Sequence, residues 1–128
     1  MLEADANINR IIKNLRKAYQ RGLRHSGRIM KDEIKRLIKD PPKSGIKYRH
    51  LPNRSSAKGE APANQTGFLM NSVEFAVKGT DLEVGDTAFY GGFLEFYHKR
   101  PHVSTAASTK QATMNLLINN YINKEILV

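Results

Sequence analysis

The sequence contains no cysteine. That excludes a disulfide framework, a thiol nucleophile and a zinc ribbon, and it fits a reducing compartment. No run approaches the roughly 18 apolar residues that a membrane-spanning helix needs, so no membrane partner is expected. The opening MLEADANINRII lacks an apolar h-region, so no secretory signal is expected either. Proline is scarce outside one stretch: four of the five lie within residues 41–65. What remains is a chain of 128 residues, 40% apolar and 26% charged. Such a chain is long enough for one domain with a real core and too apolar to be disordered throughout.

Acidic residues are also scarce, and unevenly so. There are 21 Lys and Arg against 12 Asp and Glu, for a formal net charge of +9. Residues 1–40 carry +6, residues 41–65 carry +4, and residues 66–128 carry −1. All of the excess lies in the first half, which suggests one face meeting a polyanion or an acidic partner. A solvated helix face and a solvated loop would give the same numbers.

Residues 1–40 read as one long helix. Apolar or small residues recur at Ile8, Ile11/Ile12, Leu15, Ala18/Tyr19, Gly22/Leu23, Ser26, Ile29/Met30, Ile34 and Leu37/Ile38, close to the 3.6-residue period. Arg10, Lys13, Lys17, Arg21, Arg24, Arg28, Lys31 and Lys35 take the other side, and Asp40-Pro41-Pro42 stops the pattern. A helix of about 33 residues spans about 50 Å, more than the roughly 30 Å of a domain this size. Part of the stripe is therefore expected to pack outside its own domain. Gly22 and Gly27 each cost about 1 kcal/mol in a helix and leave a break there open. Gly22 and Ser26 could instead mark a close helix contact.

Residues 41–65, PPKSGIKYRHLPNRSSAKGEAPANQ, fit neither period. A loop this long within a small domain is usually functional or disordered. It reads as an extended basic arm, with Lys43, Lys47, Tyr48, Arg49, Leu51, Arg54 and Lys58 as candidate docking contacts. Ordering such an arm costs backbone entropy of about 1–2 kcal/mol per residue, so it is expected to order on docking.

Residues 66–128 read as a small α+β core. Thr66 is expected to cap a short helix ending near Asn71. Val73, Phe75 and Val77 alternate with Glu74, Ala76 and Lys78, and Leu82 and Val84 alternate with Asp81 and Glu83. Joined through Gly79-Thr80, they predict a hairpin. The aromatic-rich stretch 88–97 is a third strand or a helical turn leading into one. A last helix is expected from about Ser104. The fold class is α+β in a single domain: long helix, extended arm, and a small antiparallel sheet with a short and a C-terminal helix.

No catalytic constellation stands out. His98 and His102 are four apart, but Pro101 between them argues against a metal-binding helix, and they read as surface histidines. No nucleophile elbow or glycine-rich phosphate loop is present, and no carboxylate pair is placed by spacing alone. No cofactor, metal or catalytic residue is expected.

Two phrases carry a resemblance. The first runs from Gly59-Glu60 through Pro62 to Thr66-Gly67, Leu69, Ser72 and Val73. The second is Val84-Gly85, Tyr90, Leu94-Glu95-Phe96 and Arg100-Pro101. In this order, after a long helix, they resemble the tail-completion or head-to-tail joining (neck) proteins of long-tailed bacteriophages. The resemblance implies a non-enzymatic virion protein, made in the host bacterial cytoplasm and forming a homo-oligomeric ring, commonly a hexamer. It would sit between the head connector or adaptor and the tail tube or tail terminator, with non-specific contact to channel DNA permitted. Within it, Pro62 would stiffen the arm, Thr66 would cap the short helix, and Glu95 and Arg100 would pair within or between subunits. The alternatives are a basic nucleic-acid-binding protein or, further off, a small nuclease. Against the first, the aromatics lie in the neutral half instead of among the basic residues.

Overall fold

Apolar residues at helical spacing, with no proline before position 41, form an unbroken helix α1 over Leu2–Lys39. The computed structural model describes residues 2–88, 91, 94, 95 and 98–127. After α1 come the short helix α2 (Phe68–Asn71), strands β1 (Val73–Lys78) and β2 (Asp81–Asp86), and helix α3 (Val103–Leu127). The chain is α+β, with one two-stranded antiparallel sheet among the described residues. No described helix is long and apolar enough to cross a membrane.

The two glycines do not break α1; each admits a neighbour. A Cβ on Gly22 would lie 3.1 Å from the Cα of Ile118 in α3, and one on Gly27 would lie 2.3 Å from the Phe75 ring of β1. The cost of glycine in a helix is offset by the close approach of two packed elements. At 38 residues, α1 is about 57 Å long.

α3 runs antiparallel to α1. His25 Nδ1 meets the Tyr121 hydroxyl at 3.2 Å, Arg21 reaches Glu125 at 3.9 Å, and Lys110 reaches Glu33 at 4.0 Å. Glu33 is buried and paired with Arg36 at 2.7 Å. The hydrogen bonds from Arg36 hold its carboxyl below the usual range against the opposing effect of burial.

The hairpin turns at Gly79, whose φ of +61° suits glycine. Its register pairs Val73 with Asp86, Phe75 with Val84, and Val77 with Leu82. These pairs share one face, since opposed residues of an antiparallel ladder point the same way. That face lies on α1, and the Gln20 amide donates to the Gly79 carbonyl at 2.9 Å. The core gathers Met30, Ile34 and Ile38 of α1 with Leu69, Val73, Ala88 and Ala106. Each large apolar side chain buried there contributes about 1.5–3 kcal/mol.

Two expectations need adjustment. The residue before α2 is Gly67, not Thr66; its φ is +83° and it makes no side-chain cap. The Thr66 hydroxyl instead accepts from the Phe68 amide at 3.3 Å, a turn just ahead of the helix. In the stretch 88–97, Gly91, Leu94 and Glu95 are helical, so no third strand passes through the described residues there. Tyr90, Phe96 and the other aromatics of that stretch lie outside the described residues.

Candidate assembly surfaces

The basic segment 41–65 has no helix or strand, and hydrogen bonds of its own fold it back. Pro41-Pro42 ends α1, and Lys43 then turns back to donate to the Leu37 carbonyl at 2.7 Å. That satisfies one of the acceptors every helix leaves at its C-terminus. Burial pushes the Lys43 ammonium pKa down, opposed by Glu60. Glu60 closes the loop, accepting from the Ser44 amide and hydroxyl at 3.0 Å each and from the Ala57 amide at 2.6 Å. The backbone donors Ala57 and Ser44 hold the Glu60 carboxyl below its usual range.

Within the loop, Gly45 and Ser55 pair through their backbones at 2.8 Å, and Ser55 returns to Ile46 at 3.0 Å. Asn53 and Gln65 exchange two hydrogen bonds at 3.0 and 2.9 Å, and Arg54 donates to the Gly45 carbonyl at 2.8 Å. This network orders the segment without a docking partner. Its tip presents Lys47, Tyr48 and Arg49 to solvent, with Arg54 and Lys58 also exposed. Tyr48 is 42% exposed and Ile46 63%. Four of the expected docking contacts have partners within the chain: Lys43 caps α1, Lys47 donates to the Tyr48 carbonyl at 3.1 Å and to the Leu51 carbonyl, Arg54 reaches Gly45, and Leu51 lines a hollow of about 300 Å³ with Pro62, Leu69 and Leu94.

The motif residues converge where this loop meets the start of α3. Gly59, at φ +91°, donates its amide to the Lys99 carbonyl at 2.8 Å. Arg100 Nε donates to the Ser56 hydroxyl at 3.0 Å. Glu95 caps α3: it accepts from the amides of His102, Val103 and Ser104 at 2.7, 3.2 and 3.0 Å, and from the Ser104 hydroxyl. A carboxylate suits this place because a helix N-terminus offers free N–H groups and positive potential. Burial pushes the Glu95 pKa up, and the donors outweigh it, so its carboxyl stays below the usual range. Glu95 and Arg100 therefore do not form the expected pair within the chain; each has other partners. Pro62 is buried, as are Leu69 and Val73. Ser72 donates its hydroxyl to the Leu69 carbonyl at 2.7 Å. Pro101 leads into α3 half-buried, and Phe96 lies outside the described residues.

His102 overturns the surface reading. It is fully buried. Its Nε2 bonds Asp86, and its Nδ1 lies 2.7 Å from Glu95 and 3.0 Å from the Arg100 carbonyl. Burial pulls the imidazole pKa down, but Asp86, the Arg100 carbonyl and Glu95 outweigh it and hold it above 6.5. The ring thus joins the end of β2 to the cap of α3. The spacing of the histidines gave no hint of this. The signal was the period-2 alternation, which puts Asp86 on the same inner face as Leu82 and Val84. His98 is exposed. Among the described residues, no group of three or more acidic or histidine side chains is placed to hold a metal ion.

A second surface lies on α1. Ile8, Ile11 and Ile12 are 54, 53 and 51% exposed, on the face that farther along holds the buried Ala18, Leu23, Met30 and Ile34. Toward the N-terminus the buried part of the stripe reaches Ala18, which is 0% exposed. On α3 itself, Leu116 and Ile126 are 63 and 64% exposed. No family model, curated protein or solved structure matches the chain.

Proposed function

We propose that the chain is a structural virion protein at the head–tail interface of a tailed bacteriophage, assembling as a ring that completes or joins the tail. The reading rests first on the ordered phrases from Gly59 to Pro101 and their resemblance to neck proteins. The observations that carry it further are the exposed apolar stripe near the N-terminal end of α1 and the exposed basic loop that follows its C-terminal end. A monomer gains nothing by exposing three consecutive stripe isoleucines; an assembled particle can bury them. In this reading the charged joint around Glu95 and His102 is a scaffold that fixes the loop against α3, and α1 and the loop tip are the contact parts. Ring closure would follow from one repeated heterologous contact between copies.

The test is genetic. A phage or prophage carrying a stop codon early in this gene should yield filled heads and separate tails, with infectivity restored by supplying the chain in trans. Joined, infectious particles at the normal yield overturn the proposal. The exposed cations also favour a nucleic-acid reading, and a gel shift separates the two. A joining protein gives weak, sequence-blind binding that salt removes, whereas a dedicated binder retains a preferred sequence or structure at moderate salt.

A further inference from the structure

We infer that the outward face of α1 is a rail for the phosphate backbone of double-stranded nucleic acid. One row of positions, three or four residues apart, starts with Arg10, Lys13 and Lys17 and ends with Lys31, Lys35 and Lys39. All nine positions of the row are Lys or Arg. The row is confined to about 80° of the helix circumference, opposite the apolar stripe, and is about 44 Å long. Its cations are exposed from Arg10 to Arg28 and again at Lys39, with Lys31 and Lys35 half-buried. Among the described residues, ion pairs reach the row at two places: Glu125 lies 3.9 Å from Arg21, and Glu74 lies 3.4 Å from Lys31. Between residues 10 and 39 the acidic side chains are Asp32, at the edge of the row, and Glu33, buried and paired with Arg36. α3 and the hairpin hold α1 from its inner side, so the row is set in place before any ligand arrives.

The make-up of the row selects the ligand. Protein contacts centre on buried aromatic and apolar anchors and are depleted of Lys, whereas five of these nine side chains are Lys and none is apolar. Single strands are held by stacking bases on aromatic rings, and the row has none. A bilayer surface takes cations and apolar side chains from the same side of a helix, and here they face apart. A duplex backbone needs charge alone, and offers about one phosphate per 1.7 Å of its axis. A rail of about 44 Å runs beside about 13 base pairs. With no side chain in the row suited to bidentate reading of adenine or cytosine, the contact is blind to sequence. The biological setting rests on the assembly reading above, in which channel DNA is the duplex within reach; the binding itself is a property of the isolated chain.

The test uses the purified full chain and fluorescent DNA duplexes of about 24 base pairs in two unrelated sequences, with binding read by anisotropy. Both duplexes should bind alike, and affinity should fall about 10²–10³-fold between roughly 50 and 200 mM salt, as four to six phosphate contacts require. The Lys13→Gln/Lys17→Gln/Arg24→Gln/Arg28→Gln variant should weaken binding at least about tenfold at the lower salt and flatten the salt dependence. Its helix content by circular dichroism should be kept, since Gln forms helix about as well as Lys and Arg. Taking as many charges from the loop, by Lys47→Gln/Arg49→Gln/Arg54→Gln/Lys58→Gln, should weaken binding by no more than about threefold. Absence of duplex binding at the lower salt, or a loop variant that loses as much as the row variant, overturns the inference. So does tighter binding to a single strand of the same length, or to poly-glutamate of equal charge, which would make an acidic protein the partner. If the duplex is not bound but the stop-codon phage still leaves heads and tails unjoined, only this inference falls. If the duplex binds through the row and the phage joins normally, only the assembly reading falls.

Discussion

Along α1, Ile34 and Ile38 are buried to 0 and 1% exposure, while Ile11 and Ile12 on the same face stay 53 and 51% exposed. The two halves share one apolar period and a basic opposite face, though only the second also carries Asp32 and Glu33, and they differ in what lies on them. α3, the hairpin and α2 pack on α1, burying the face from Ala18 onward, while Ile8, Ile11 and Ile12 stay more than half exposed. The pattern of a helix thus reports that a face will be buried, not what will bury it. Where the chain supplies the cover, the stripe is core. Where it does not, the stripe stays exposed.

This contrast breaks most sharply under substitution. Ile34→Ala should destabilise the isolated chain by about 2–5 kcal/mol, because the neighbours cannot collapse fully onto the vacated volume. Ile11→Ala should change stability by no more than about 0.5 kcal/mol. Urea unfolding of both variants measures the difference, and comparable losses would place Ile11 in the core. Next in size is the N-terminus of α3: Glu95→Ala removes the acceptor for three amides and should cost about 1–2 kcal/mol, read as a lower unfolding midpoint. Gly27→Ala should come third. Helix propensity favours it by about 1 kcal/mol, but its Cβ would enter the Phe75 ring, and overpacking costs about 1–3 kcal/mol, leaving a net loss. A gain in stability would show that Phe75 yields freely.

The smallest effects are in pH dependence. The imidazole of His102 is held above its usual value in the folded chain, so its contribution is full below about 6.5 and is lost as pH rises through the raised value. Glu95 is held below its usual value, so its contribution is present above about 4.5 and is lost as pH falls. Stability should therefore decline on both sides of the interval between. His102→Gln should flatten the alkaline decline and leave the acid one. An unchanged alkaline slope would mean that the ring is neutral in the folded state. On the loop, Arg49→Gln with Lys58→Gln should leave thermal stability within about 0.5 kcal/mol and reduce joining of heads to tails, measured as infectious titre.

Much of this fold was legible in the sequence. Periodicity gave α1 and the hairpin, whose apolar faces repeat at regular spacing, while α3 was read from the apolar residues after Ser104 although Leu116 and Ile126 stay exposed. The continuity of α1 through Gly22 and Gly27 was not legible, since the benefit of a missing Cβ depends on Ile118 and Phe75, far away in sequence. The buried joint was hidden for a similar reason. His102 meets Asp86 and Glu95 across 16 and 7 residues, and Arg100-Pro101 beside it reads as surface. Lys43 and Leu51 looked like part of an outward arm because composition cannot show a loop turning back on its own helix end. Their neighbours Lys47, Tyr48 and Arg49 do face outward.

The central claim is that α1 and the loop are contact parts of a neck ring, and electron microscopy of intact particles tests it most directly. Particles carrying an epitope tag at the C-terminus of this chain should show density for it in a ring between head and tail, with the α1 stripe covered by neighbouring protein. Its absence from purified particles, or its presence only on the capsid shell or tail tip, would contradict the account.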